Sequence, residues 1–148
     1  HIDVSFGTDA PDFLDWRANI HSKGRLLLML FLFSDVTERV APTRIPVGSH
    51  DDVARQLAAA GEAGLTLREL AADGFASSAH RPIVTACGEA GTGYLCHPFL
   101  VHAAQPHSGQ RPRFLAQPPL LPVDPDNRPH GDPSPVERAT ARALVERG

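Results

Sequence analysis

His1 and Asp3 are separated by one residue, and a third residue of metal-binding type, His102, stands far along the chain. Residues i and i+2 of an extended strand project from the same face, so His1-Ile2-Asp3 would present an imidazole beside a carboxylate. A histidine from a distant strand would complete two nitrogens and one carboxylate on one face of a metal, with the opposite coordination positions open for substrate and oxygen. His102 is the candidate. Such triplets also arise by chance, and a histidine is more often a surface or hydrogen-bonded residue than a ligand, so the triplet needs partners elsewhere.

Those partners lie downstream. His102 is followed, across the turn Pro106-His107-Ser108-Gly109-Gln110, by Arg113 at the start of a returning strand. A guanidinium grips a carboxylate in bidentate fashion, which is what the far end of a dicarboxylic keto acid requires while its other end chelates a metal. The plainer reading makes Arg113 an edge-strand surface residue. His97 and His107 each lie five positions from His102; an odd offset along an extended chain reverses the facing, so both are expected to be structural or exposed.

Four segments in order, His1-Ile2-Asp3, Gly48-Ser49-His50, Gly93-Tyr94-Leu95-Cys96-His97-Pro98-Phe99-Leu100-Val101-His102 and Arg111-Pro112-Arg113, resemble successive motifs of bacterial phytanoyl-CoA dioxygenase-like proteins. The resemblance runs from residue 1 to about 122. It implies a double-stranded β-helix (jelly-roll or cupin-like), mainly β, with a helical insertion and a C-terminal helix. It further implies Fe(II) held by His1, Asp3 and His102, 2-oxoglutarate held by Arg113, and oxidation of a small-molecule substrate by molecular oxygen. Two positions depart from the family pattern. Val47 stands where a proline usually precedes the glycine, and Ala104 replaces a hydroxyl residue, which would remove a hydrogen bond to the cosubstrate. The family also carries strands and helices before the His-X-Asp, so the chain is expected to be a piece lacking them, inactive alone.

The elements that must position these residues are legible in part. Residues 2–6 alternate apolar and polar as a short half-buried strand does. A loop over 7–24 follows, with Phe13, Leu14, Trp16 and Ile20 as anchors. The near-continuous apolar run 25–34 fits a central strand buried on both faces, and 43–47 another short strand. Asp51 or Asp52 is expected to cap a helix to about Ala60, and Thr66 with Glu69 spells a capping box. Strands are expected over 82–86 and 93–96 around a Gly-rich turn, and a hairpin from 99–104 and 113–117. An irregular arm, 118–135, leads to a helix capped by Ser134 with Pro135 at its first position. The domain reading is one unit, 1–148, with its core in 1–122 and the arm and helix in 123–148.

Composition narrows the partners. The chain has 148 residues, 42% of them apolar, and a net charge of −3 without segregated charge blocks, so no footprint for nucleic acid is expected. The apolar run 26–33 is far short of the ~20 residues a membrane-spanning helix needs. Two cysteines, Cys87 and Cys96, are too few for a disulfide framework; buried free thiols and a cytoplasmic setting are expected.

Rival chemistries have weaker support. A zinc finger needs closely spaced cysteines, and copper chelation at His1 would need a free terminal amine there. Ser49-His50 lacks the Gly-X-Ser-X-Gly elbow of a serine hydrolase, and Asp3 argues against a halogenase, which would carry a small residue in its place. A cluster of Arg17, His21, Lys23 and Arg25 near Trp16 reads either as a solvated loop or as a mouth for an acidic substrate. The main alternative function is a cupin-like metal-binding or isomerase domain, because fold alone does not fix chemistry.

Overall fold

The computed structural model describes residues 1–21, 26–121 and 133–145. Its architecture is mixed α and β. In chain order it has strands β1 (Arg17–Ala18), β2 (Leu27–Leu32) and β3 (Arg44–Pro46), then helix α1 (Ser49–Ala60), strand β4 (Leu65–Thr66) and helix α2 (Leu67–Leu70). Strands β5 (Ile83–Thr85), β6 (Gly93–Cys96), β7 (Leu115–Ala116) and β8 (Pro119–Leu120) follow, and helix α3 (Pro135–Val145) closes the series. All strand pairings are antiparallel, in three small sheets: β1 with β4, β3 with β5, and β2 flanked by β6 on one side and by β7 and β8 on the other. No closed barrel forms among the described residues.

β2 is the central strand of its sheet, but it is not buried on both faces. Leu28, Leu30 and Leu32 are buried while Leu27, Met29 and Phe31 are half-exposed, so a run that reads as uniformly apolar has only one covered face. β7 and β8 belong to one extended stretch. Leu32↔Leu115, Phe31↔Ala116, Leu28↔Pro119 and Leu27↔Leu120 share a single register, and the ladder lapses where Pro118 has no N–H to give. Gln117 therefore lies opposite Leu30; the residue is exposed, but its amide nitrogen reaches His102.

The expected hairpin of 99–104 with 113–117 does not form. Ala103 bridges to Arg44 and His107 to Val40, while 115–116 pairs with β2, whose apolar residues offer a longer partner than the polar turn does. Nor do β5 and β6 pair with each other across the Gly-rich turn; each joins a different sheet. Residues 1–5 are extended without forming a regular strand, and Ile2, Asp3 and Val4 are all buried rather than alternating.

α1 begins at Ser49, ahead of the expected start, with Gly48 in a left-handed conformation (φ 82°) before it and no side-chain cap. Asp51 and Asp52 stand in its first turn, favourable to the helix dipole. Asp52 is committed elsewhere: it accepts bidentate bonds from Arg81 at 2.9 and 3.0 Å and one from Ser78 at 3.0 Å. Burial alone would raise its carboxyl pKa, yet the bonds from Arg81 and Ser78 hold it below the ordinary value. The capping box at α2 is present, with Glu69 N–H donating to Thr66 Oγ1 and Thr66 N–H to Glu69. Ser134 and Glu137 make the same reciprocal pair at the start of α3. The remainder of the expected arm, 122–132, falls outside the described residues.

Three apolar clusters organise the interior. The first packs Ile2, Val4, Val53, Leu57, Phe99 and Val101 together with α2 and α3 residues. The second joins Leu28 and Leu30 of β2 to Ile45, Ala86 and Leu100, and a small third holds Leu32, Val36 and Val40. Trp16 and Ile20 pack on the first cluster, whereas Phe13 and Leu14 are exposed. Cys87 and Cys96 are free and half-buried, not fully buried.

Candidate functional site: a histidine pair with a carboxylate

The segments around residues 1–4 and 99–102 run between the first two clusters, and although residues 2–4 are all buried, successive side chains turn to opposite sides. Ile2, Val4, Phe99 and Val101 enter the first cluster, and Leu100 enters the second. His1, Asp3 and His102 are thereby left on the side of Leu100 and β2. His1 and His102 exchange both backbone hydrogen bonds, at 2.9 and 3.0 Å, and their rings meet edge to face with centroids 4.3 Å apart. Asp3 N–H donates to the Pro98 carbonyl at 3.3 Å.

His102 is almost completely buried, at 2% exposure, and Asp3 stands at 9%, while His1 is exposed. His102 Nδ1 lies 3.0 Å from the Leu100 carbonyl. A carbonyl only accepts, so Nδ1 carries the proton and Nε2 presents its lone pair. Burial lowers the His102 pKa, against the opposing pull of the Leu100 carbonyl, and the ring is held in the neutral form a metal ligand needs. Burial followed by the nearby Asp3 charge raises the Cys96 thiol, which marks Asp3 as a neighbour of β6.

The lone pair of His102 Nε2 and Asp3 Oδ1 converge on the Gln117 side-chain amide nitrogen, at 3.0 and 3.4 Å. Two ligand-type atoms thus aim at one point, and the donor set of two imidazoles and a carboxylate suits a ferrous ion. The backbone and the donor chemistry fit the group. The side chains do not close on it: among the described residues no set of three or more His, Cys, Asp or Glu is arranged to hold a metal.

Arg113 donates through Nη1 to the Ala41 carbonyl. Its guanidinium is half-buried and engaged with the loop before β3 rather than with His102. His97 turns the other way: it stacks on His50 at 5.0 Å, accepts from Phe99 N–H at 3.1 Å, and contacts Thr140 Oγ1 of α3 at 3.1 Å. His107 is exposed, with Nε2 2.8 Å from the Arg111 carbonyl. Cys87 Sγ meets Glu38 and Thr85, not a histidine. In the basic cluster, Arg17 is committed to the Ala63 and Gly64 carbonyls at 2.8 and 2.9 Å, and His21 pairs with Glu62 at 2.9 Å; Lys23 and Arg25 fall outside the described residues.

Sequence reasoning missed two contributors. Ser49 is fully buried, and its hydroxyl accepts the Val101 N–H at 2.9 Å, which pins the segment carrying His102 to the start of α1. Gln117 is the other. Its only sequence signal is its even offset from Leu115 and Arg113, which puts it on their face of an extended stretch. Among the described residues no helix is long and apolar enough to cross a membrane. No protein-family model, no curated protein and no solved structure matches this chain.

Proposed function

We propose that this chain is the metal-binding part of an Fe(II)- and 2-oxoglutarate-dependent oxygenase of the phytanoyl-CoA dioxygenase type, built on a double-stranded β-helix plan. His1, Asp3 and His102 are its iron ligands, and Arg113 holds the far carboxylate of 2-oxoglutarate. The observation that carries the reading is the antiparallel pairing of His1 with His102, which sets the two imidazoles and Asp3 on one side of the chain although His102 is remote in sequence.

Each residue has a separable task. The Leu100 carbonyl fixes the His102 tautomer, so that Nε2 and not Nδ1 is the donor atom. Burial of His102 and Asp3 keeps water from competing for their lone pairs. Arg113 has five N–H donors, so its bond to Ala41 leaves enough for a bidentate grip on a carboxylate. When bound, ferrous iron with 2-oxoglutarate and molecular oxygen supplies oxidative decarboxylation to succinate and carbon dioxide, coupled to hydroxylation of a C–H bond in a small-molecule substrate.

The test is iron-dependent succinate formation in the presence of 2-oxoglutarate and oxygen, with stoichiometric Co(II) binding measured in parallel. His102→Ala is expected to lose both. Unchanged turnover in that variant would remove the mechanism.

A second reading, a cupin-like metal-binding or isomerase domain without oxygen chemistry, is favoured by one observation: the Arg113 guanidinium engages a backbone carbonyl, and a plain metal site needs no arginine facing it. Metal binding that persists with no consumption of 2-oxoglutarate under any substrate would select this alternative.

A further inference from the structure

We propose that the cleft between the 35–40 loop and the 107–111 turn binds the phosphate monoester of a small, hydrogen-bond-donating molecule, with Arg39 and Arg111 on the phosphate and Asp35 on the far end. None of His1, Asp3, His102 and Arg113 lines this cleft, so the inference stands apart from the iron reading.

Two stretches of backbone are pinned together here, and each carries a guanidinium. The Arg39 carbonyl accepts the Ser108 N–H at 2.9 Å and the Ser108 hydroxyl at 3.3 Å. His107 bridges to Val40, and its Nε2 donates to the Arg111 carbonyl at 2.8 Å. Gly109 permits this approach. A Cβ there would stand 2.8 Å from Val40 Cγ1 and 3.2 Å from the Arg39 carbonyl oxygen, and Val40 is both buried and β-branched, with little χ1 freedom to yield.

The cleft has a volume of about 430 Å³, within the usual range for a small-molecule pocket. Arg39, Arg111 and Thr37 all line it. Other arginines of the chain are spent on internal acceptors: Arg17 on the Ala63 and Gly64 carbonyls, Arg68 on Asp12 and Asp15, Arg81 on Asp52. Among the described residues the guanidiniums of Arg39 and Arg111 have no such partner. Like charges held in one cleft repel until an anion is shared between them. A phosphate monoester brings about −1.5 to −2 charge and three acceptor oxygens, enough for two forked guanidiniums and the Thr37 hydroxyl; a carboxylate, with one charge and two oxygens, satisfies a single arginine.

Asp35 fixes the character of the rest of the ligand. It lines the same cleft, and its Oδ1 accepts the Ala90 N–H at 2.9 Å. Its charge opposes a molecule that is anionic at both ends, which disfavours a dicarboxylate. The acceptor capacity it has left calls for a hydroxyl or ammonium donor.

The experiment titrates inorganic phosphate, glycerol 3-phosphate and succinate into the full chain by calorimetry, in about 0.15 M salt to screen diffuse attraction. Glycerol 3-phosphate is expected to bind saturably and more tightly than inorganic phosphate, with succinate weakest. Arg39→Ala and Arg111→Ala should each weaken it about 10–100-fold, the loss of charged hydrogen bonds, with unchanged thermal melts because neither side chain has an internal partner. Gly109→Ala retains both guanidiniums and should still weaken binding several-fold by forcing the turn away from Val40. Absence of saturable binding by either phosphate compound, arginine variants that bind as wild type does, or succinate binding as tightly as glycerol 3-phosphate would each overturn the proposal. Inorganic phosphate binding as tightly as glycerol 3-phosphate would overturn the role given to Asp35.

Discussion

His102 lies directly opposite His1 as a hydrogen-bonded antiparallel pair, N–H of each to the carbonyl of the other. Directly opposed residues project to the same side, with Cβ atoms about 4.5–5.5 Å apart, so the contact between the two rings follows from backbone pairing. The pair is nonetheless unequal. His102 is buried and tautomerically fixed by Leu100, while His1 is exposed. His102→Ala should therefore abolish Co(II) binding, and His1→Ala should only weaken it, with Asp3 and His102 left as a two-ligand site. Parallel calorimetric titrations of the two variants check this, and equal losses would show that the burial difference is irrelevant to binding.

Ser49 ties the His102 segment to α1 from below. Its buried hydroxyl accepts the Val101 N–H, and Ser49→Ala would leave that N–H without its acceptor in the interior, at a cost of about 1–3 kcal/mol in stability. Loosening the ligand-bearing segment is expected to reduce metal affinity by about 10–100-fold, as loss of an outer support does. Denaturant unfolding and Co(II) titration of the same variant measure the two effects separately. A Thr at 49 keeps the hydroxyl and should restore most of the affinity, provided its extra methyl is accommodated.

Arg113→Ala bears on both readings of the site. If the guanidinium binds 2-oxoglutarate, the concentration needed for half-maximal succinate formation should rise while Co(II) affinity stays unchanged. If its role is the bond to Ala41, the variant should lose stability with no change in the 2-oxoglutarate requirement. Steady-state kinetics beside thermal melts distinguish the outcomes.

How far the sequence led depended on whether a signal was local. The capping box of Thr66 and Glu69 and the Ser134–Pro135 helix start are set within a few residues, and both appear as read. The i, i+2 relation of His1 and Asp3 is equally local, yet the regular strand expected to carry Asp3 does not form. Pairing partners were not legible, because β2 reads the same whether its neighbour is β6, β7 or a distant loop. The expected 99–104 hairpin failed for that reason: Ala103 chose Arg44, and 115–116 chose β2. Ser49 and Gln117 were overlooked as supports because each acts on a residue remote in sequence, Val101 and Asp3, and neither carries a charge that would draw notice. The one-sided burial of β2 was hidden by its uniform apolarity.

A histidine outside the candidate ligands, His97, predicts how the chain responds to acid. Burial first, and then the neighbouring His50, lower the His97 pKa from 6.5 to about 4, against the opposing Val136 carbonyl and Asp51 charge. Its Nδ1 accepts from Phe99 N–H, so protonation there would set one N–H against another. His50, stacked on it, is also lowered by burial, with Asp51 opposing and Arg142 and Arg81 adding to the shift. A histidine whose pKa is depressed on folding takes up its proton more readily in the unfolded chain. Its full stabilisation is thus present above pH 6.5 and lost as pH falls toward 4. The shift of His97 corresponds to about 3 kcal/mol over that window. Because His97 Nε2 contacts Val136 and Thr140 of α3, undocking of α3 should precede global unfolding. Hydrogen exchange of α3 amides at pH 7 and pH 5 tests this order, and His97→Gln, which keeps a donor toward Thr140 but does not titrate, should flatten the pH dependence. A wild-type stability that is level from pH 7 to pH 4.5 would show that His97 is not buried as the stack and the α3 contacts require.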